Sequence, residues 1–314
     1  MENRSPNFET RSMTILFLRI ISRLPYWALH TAAMGLAWFA RVVLGYRRKV
    51  IQQNIKNSFP DENTHWLKKV EKGYYGHFAD ITVESIKHFT ISDATARGRM
   101  KHRNVELFER YFDQGRSVLI AGGHLNNWEL YAMSANQSLP HEVMAVYKKL
   151  SEEKMDEAVR ESRERFGLKM VRTIEAQDWM EQNIFSNPPK AVVMGFDQSP
   201  ADPKKSYWTH FLNQETAWYF GLEKWAREFD LPVIYGHIYK VRKGHYETVY
   251  ELVIDDPKSV QKGEILKRCI DLLEKDIRKY PTQWLWSHKR WKHQRPSDMP
   301  LNESLQSDES SVMP

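Results

Sequence analysis

Hydrophobic and polar positions divide the chain into stretches of different rhythm. Over residues 65–90, Leu67, Val70, Tyr74, Phe78 and Ile81 recur three or four apart, the period of a helix with one apolar face. Residues 103–116 repeat the pattern with Leu107, Phe108 and Tyr111 turned inward and Gly115 as the stop. Beyond them, strand-like runs at 117–121, 142–147, 168–171, 191–196, 232–239 and 247–254 alternate with helical patterns at 151–165, 175–185, 216–229 and 264–280. This alternation predicts an α/β fold, a mixed sheet flanked by helices on both faces.

Residues 13–46 behave differently, being apolar and aromatic but interrupted by Arg19, Arg23, His30 and Arg41. Their longest run without Lys, Arg, Asp or Glu covers 24–40, at the short limit of the roughly 17–25 residues a bilayer span needs. The same charges break a secretory signal pattern. The expectation is N-terminal membrane-interfacial helices anchored by Tyr26, Trp27, Trp38 and the arginines. A single span and a buried core helix are the alternatives. The chain therefore divides into a flexible 1–12, a membrane-associating segment at 13–46, an α/β domain at 47–296, and a polar tail at 297–314 expected to be disordered.

Composition narrows the function. The net charge of +6 favours anionic partners: a membrane face, an acidic carrier protein or a nucleic acid. The one cysteine, Cys269, sits among apolar residues at helical spacing and reads as core, so neither an intramolecular disulfide nor a multi-cysteine zinc site is open to the chain. There is no Walker A loop, no HExxH and no GxGxxG after a strand. No cofactor and no metal are expected.

Candidate chemistry concentrates where apolar runs end. Gly122-Gly123-His124-Leu125-Asn126-Asn127-Trp128-Glu129 follows a β-branched run, the place where α/β proteins collect reactive side chains. Five residues advance an ideal helix by about 500°, leaving His124 and Glu129 roughly 140° apart, so they cannot share one straight helical face. If they meet, His124 lies in the turn before a helix and Glu129 in its first turns, reaching back to the ring as the orienter of a general base. Equally open from spacing is a His124 cap with Glu129 favouring the helix dipole. Arg163, in Glu161-Ser162-Arg163-Glu164-Arg165-Phe166-Gly167, suits a phosphate or a local ion pair. Gly195-Phe196-Asp197-Gln198-Ser199 ends a second apolar strand. Gln283-Trp284-Leu285-Trp286-Ser287-His288-Lys289-Arg290-Trp291-Lys292 interleaves tryptophan with cations and fits a membrane interface, single-stranded nucleic acid or a packed chain end.

Taken in order, these blocks resemble the bacterial late acyltransferases of lipid A biosynthesis, within the wider lysophospholipid acyltransferase family. The match runs over about residues 13–295 and includes the family's histidine, four residues, acidic residue motif at His124 and Glu129. Two departures bear on the acceptor. Asp197-Gln198-Ser199-Pro200-Ala201 lacks the family's frequent second acid and glycine, and Phe211-Leu212-Asn213-Gln214 replaces a common phenylalanine-glycine pair.

The resemblance implies O-acyl transfer from an acyl carrier protein thioester (or acyl-CoA) to a hydroxyl of a lipid acceptor, a lipid A precursor. It places the protein at the cytoplasmic face of the inner membrane, peripheral or anchored by one span. His124 would be the general base and Glu129 its orienter, with Asn127, Arg163 and Asp197 serving the substrates. Backbone N–H groups after Gly122-Gly123, or the Asn126 and Asn127 amides, would hold the oxyanion. Lysines at 148–149, 204–205 and 240–243 would steer the acidic carrier. Nucleic acid is not expected as a partner. The alternatives are a non-enzymatic membrane- or nucleic-acid-binding protein, a relative acting on another lysolipid or aminolipid, and more remotely a metal hydrolase.

Overall fold

The computed structural model describes residues 6–302, and for 6–12 the backbone only. In chain order the elements are α1 (Pro6–Ile21), α2 (Tyr26–Trp38), α3 (Arg48–Ser58), α4 (Thr64–Lys87), α5 (Asp93–Arg99), β1 (Met100–Arg103), α6 (Glu106–Asp113), β2 (Val118–Gly122), α7 (Trp128–Ser134), β3 (Glu142–Tyr147), α8 (Glu153–Glu164), β4 (Lys169–Arg172), α9 (Ala176–Asn183), β5 (Lys190–Gly195), β6 (Tyr207–Phe211), β7 (Gln214–Trp218), α10 (Gly221–Glu228), β8 (Val233–Arg242), β9 (His245–Ile254) and α11 (Glu264–Lys279). Seven strands form a mixed sheet in the order β1-β9-β8-β2-β5-β3-β4, parallel throughout except at β8 and β9. The α/β expectation holds.

Strand β2 lies near the middle of this sheet and is buried on both faces, which is why its sequence reads as a continuous apolar run rather than an alternation. Leu119 and Ala121 pack with α3, α4, α10 and α11 on one face. Val118 and Ile120 pack with α5, α6 and α7 on the other. Cys269 is buried on the first face, and burial pushes its thiol upward, away from the nucleophilic form.

Some boundaries fall where local pattern did not put them. The helix expected over 216–229 is divided: β7 pairs with β6 in an antiparallel hairpin, and the helix starts only at Gly221. The hairpin turns at Leu212 and Asn213, with φ of 48° and 61°, a two-residue turn normally signalled by Asn-Gly. Tertiary bonds hold it: Leu212 N–H donates to Glu274 Oε2 at 3.0 Å, and Asn213 Nδ2 donates to the Ser58 carbonyl at 2.9 Å. The edge strand β1 matches no expected element: it ends at Arg103, where the helical reading of 103–116 begins, and α6 starts only at Glu106. Of the stretch 1–12 expected to be flexible, residues from Pro6 are helical. Of the tail expected to be disordered, Asn302 donates to the Trp208 carbonyl, so it packs on the domain; residues 303–314 lie outside the described residues.

The N-terminal helices are held on the domain by apolar packing and by polar ties, Lys87 Nζ donating to the Ser22 and Leu24 carbonyls and Thr90 Oγ1 to the Ser22 carbonyl. Leu29 and Ala33 of α2 pack against Ala79 and Val83 of α4. Helix α2 runs on into a π-helical turn, Phe39–Val43. No single described helix is long and apolar enough to cross a membrane; Tyr26–Val43 and Arg48–Ser58 together reach that length and composition but are bent by 90°.

Candidate active site

The site forms at the C-terminal ends of β2 and β5, neighbouring parallel strands whose register sets Gly122 opposite Gly195. Two residues beyond each glycine stand His124 and Asp197, so strand register delivers an imidazole and a carboxylate to the same point. His124 Nδ1 lies 2.6 Å from Asp197 Oδ1. The backbone N–H of His124 donates to Asp197 Oδ2 at 2.8 Å, and Trp284 Nε1–H donates to the same oxygen at 2.8 Å. The close approach needs glycine on both strands. A Cβ on Gly123 would stand 2.6 Å from Leu273 Cδ1 and 3.2 Å from Asp197 Oδ2, and one on Gly195 would stand 3.2 Å from His124 Cε1.

Electrostatics follow from that geometry. Burial alone would lower the His124 pKa, but the Asp197 carboxylate outweighs it and holds it above the ordinary value. Burial would raise Asp197; the facing imidazole and the hydrogen bonds bring it down to about 2. An ionised Asp197 requires the proton on His124 Nδ1, which leaves Nε2 with its lone pair directed away from the carboxylate. Nε2 faces a narrow cleft lined by Gln198, Trp284, Leu285 and His288. The Gln198 side-chain amide reaches it at 3.1 Å.

The carboxylate expected on His124 is therefore the wrong one. His124 does sit in the turn and Glu129 in the first turn of α7, but the Glu129 carboxylate makes its hydrogen bonds to Arg163 and Trp128 and none to the ring. Arg163 Nε donates to Glu129 Oε2 at 2.9 Å and Arg163 Nη2 to Oε1 at 2.6 Å. The roughly 140° of helical rotation explains the divergence: a helix beginning at Trp128 aims position 129 at α8 rather than back at the turn. Burial would raise Glu129, and the facing guanidinium brings its pKa below the usual value. Arg163, read as a phosphate ligand, spends one face of its fork on this pair.

Both side chains of the pair are about one-fifth exposed, at 21% for Arg163 and 19% for Glu129. Arg163→Ala leaves the carboxylate without its cation and is expected to cost about 3 kcal/mol, the lower end for a broken buried pair. Arg163→Lys should recover less than half, because an ammonium cannot make the bidentate contact. Urea unfolding of both variants measures this; an Arg163→Ala protein as stable as the parent contradicts it.

The asparagines are also placed differently from expectation. Asn127 caps α7 with Oδ1, which accepts from Leu130 N–H at 2.8 Å, and donates through Nδ2 to the buried Glu84 at 2.7 Å. It is fully buried and has no free amide for a substrate. Asn126, at φ 58°, donates from Nδ2 to the Ile238 carbonyl at 2.6 Å, and its backbone N–H donates to the Gln283 carbonyl at 2.9 Å. With His124 N–H held by Asp197, these donors offered by the glycine-histidine loop are all committed.

Trp284, Trp286 and Arg290 are buried, the last with its guanidinium 4.3 Å from the Trp218 ring centre. The closing block is thus packed into the domain; a bilayer or a nucleic acid cannot reach these tryptophans. Trp284 was the participant hardest to find, since only its place in that block marked it. Among the described residues, no three His, Cys, Asp or Glu side chains converge to hold a metal ion.

The fold and site thus define an α/β protein with a carboxylate-held histidine at the C-terminal ends of two neighbouring parallel strands, over a cleft. The chain itself belongs to the bacterial lipid A biosynthesis acyltransferases: residues 2–293 match that family. No curated protein matches the sequence. Acyl transfer is accordingly the chemistry of this chain.

Proposed function

We propose that the protein moves a fatty acyl chain from an acyl carrier protein thioester, or acyl-CoA, to a hydroxyl of a lipid A precursor, with His124 as general base. The observation that carries this reading is the Nδ1 contact of His124 with Asp197, which leaves the Nε2 lone pair on the cleft side, where the Gln198 amide meets it. A lipid hydroxyl is a poor nucleophile, and loss of its proton to Nε2 as it attacks the thioester carbonyl overcomes that. No acyl-enzyme is needed. The proton returns to the departing thiolate.

A groove of about 320 Å³ supports a fatty donor. It runs between α4, α7 and α8, lined by Ile81, Ile86, Phe89, Met155 and Val159, and Trp128 forms its wall nearest the base. The Trp128 ring centre is 5.2 Å from that of His124, so an acyl tail in the groove brings its carbonyl toward Nε2 while excluding water. The Glu129–Arg163 pair closes the same wall. Of the lysines read as carrier contacts, Lys240 and Lys243 both pair with Asp80 and Lys149 pairs with Glu153, which makes Lys148, Lys204 and Lys205 the better candidates for that role. Assays with carrier-linked and CoA-linked donors, and lipid mass spectrometry of a deletion strain, identify donor, acceptor and chain length. A deletion strain with every lipid fully acylated overturns the proposal.

Action at the inner membrane is part of the same reading. Met13, Phe17, Trp27, Trp38 and Leu44 are each 60% exposed or more, and large apolar side chains gathered on one exposed segment fit a membrane-facing surface. Interfacial helices of this kind sink about 5–10 Å into the headgroup region. Trp27→Glu combined with Trp38→Glu should weaken co-sedimentation with anionic vesicles at least about tenfold without unfolding the domain. Unchanged vesicle binding rejects docking through this segment.

A further inference from the structure

A thioester carbonyl attacked at His124 becomes an oxyanion, and four of the donors expected for it already have protein acceptors: His124 N–H donates to Asp197, Asn126 N–H to Gln283, Asn126 Nδ2 to Ile238 and Asn127 Nδ2 to Glu84. The indole N–H of Trp284, which also lines the cleft, is spent on Asp197. Two side chains of the cleft wall still have N–H groups to offer. Among the described residues, the hydrogen bond of the Gln198 side chain is to His124 Nε2, at 3.1 Å, the atom a substrate hydroxyl must approach. His288 accepts the Ser199 backbone N–H on Nε2 at 3.0 Å, which puts the proton of its neutral ring on Nδ1. Among the described residues, nothing accepts from that Nδ1–H.

From this geometry we infer that Gln198 and His288 are the oxyanion donors of the acyl transfer, a role resting on the acyltransferase reading above. The acceptor hydroxyl displaces the Gln198 amide from His124 Nε2. Rotation of the last side-chain torsions then turns the amide toward the carbonyl oxygen, which lies next to the hydroxyl in any attack geometry. The hydroxyl proton passes to Nε2 as the new carbon–oxygen bond forms, and the carbonyl electron pair moves onto oxygen between the amide and His288 Nδ1–H. When that pair returns, the carbon–sulfur bond breaks, and His124 returns the proton to the sulfur. Ester and free thiol are the products, with no other reactant consumed.

Two features suit His288 to this part. Burial, with the neighbouring Arg290 and Lys292 charges, brings its pKa down to about 4 against the pull of Asp197, so the ring stays neutral at working pH. A neutral imidazole donates a hydrogen bond without surrendering its proton, the behaviour an electrophilic histidine requires. In the resting protein, Gln198 meanwhile caps the base and keeps its lone pair satisfied until substrate arrives.

The test compares Gln198→Met, which keeps the shape and removes the donor, with His288→Ala and His288→Gln. Each of the first two should lower kcat by about 10²–10³-fold with KM changed less than about threefold. His288→Gln should regain part of the loss, because its amide can both accept from Ser199 and donate. Melting temperatures accompany the kinetics, and Gln198→Met stands as the readout should His288→Ala fail to fold. Parent-level kcat in either variant, or a loss confined to KM, overturns the inference. His124→Ala keeps the two levels apart: if it is inactive while Gln198→Met is fully active, the oxyanion assignment falls and the acyltransferase reading stands.

Discussion

Replacing His124 with alanine is expected to lower kcat/KM for acyl transfer by about 10²–10⁴-fold, the span that a positioned general base contributes. The fold should survive. Asp197 keeps two of its three donors in the variant, the backbone N–H of residue 124 and the Trp284 indole, so the buried carboxylate is not left bare. The loss should fall on kcat rather than KM, since the groove for the acyl chain is untouched and the ring acts on the proton only as the bond forms. Steady-state kinetics with a thioester donor and a lipid acceptor, alongside near-ultraviolet dichroism, separate the two cases. A folded His124→Ala protein with parent activity removes His124 from the mechanism.

Asp197→Asn should be nearly as damaging and should also move the pH profile. An asparagine oxygen in the Oδ2 place can still accept from the His124 and Trp284 N–H groups, but its NH2 then faces His124 Nδ1 and, being a donor, drives the ring proton to Nε2. The imidazole loses its fixed orientation and tautomer, and a fall in kcat of about 10³–10⁴-fold is the scale for that defect.

The sign of the pH effect follows from what sets the His124 pKa. Burial lowers it and Asp197 raises it, with Asp197 dominant. A base works when deprotonated, so kcat/KM in the parent rises with pH along a limb above the ordinary histidine value. Without the carboxylate, burial is the largest remaining influence, with Glu129 and Arg163 acting in opposite directions, and the limb shifts to lower pH. Profiles between about pH 5 and about pH 9 decide this, and a limb that stays in place argues against the pairing.

Stability responds with opposite signs at the two ends of the pair. The raised His124 contributes stability that is complete below its unfolded value and is lost as pH rises through its folded one. The depressed Asp197 contributes stability present above its unfolded value and lost as pH falls toward about 2.

Which parts of this were legible in sequence depended on range. The helices α4, α8, α9 and α11 were visible because each buries one face, and a one-sided face writes its period into consecutive residues. β2 and β5 were visible as unbroken apolar runs because helices cover both sides of the sheet. The β6–β7 hairpin was not, since its turn is held by Glu274 and Ser58, residues far away in the chain whose influence leaves no local mark. The closing aromatic block showed its composition but not its direction, and its core role appears only once Trp284 is seen against Asp197.

The motif at residues 122–129 shows the same division. Its residues alone place a histidine at a strand end and an acid on the following helix, because glycines, apolar run and helical spacing are local properties. Which carboxylate holds the histidine is a matter of strand register. Gly122 opposite Gly195 brings Asp197 to His124 across 73 residues of chain, while helical rotation turns the nearer Glu129 toward Arg163. Spacing along a chain limits where a side chain can point; the partner it meets is chosen by the packing of elements that are distant in sequence.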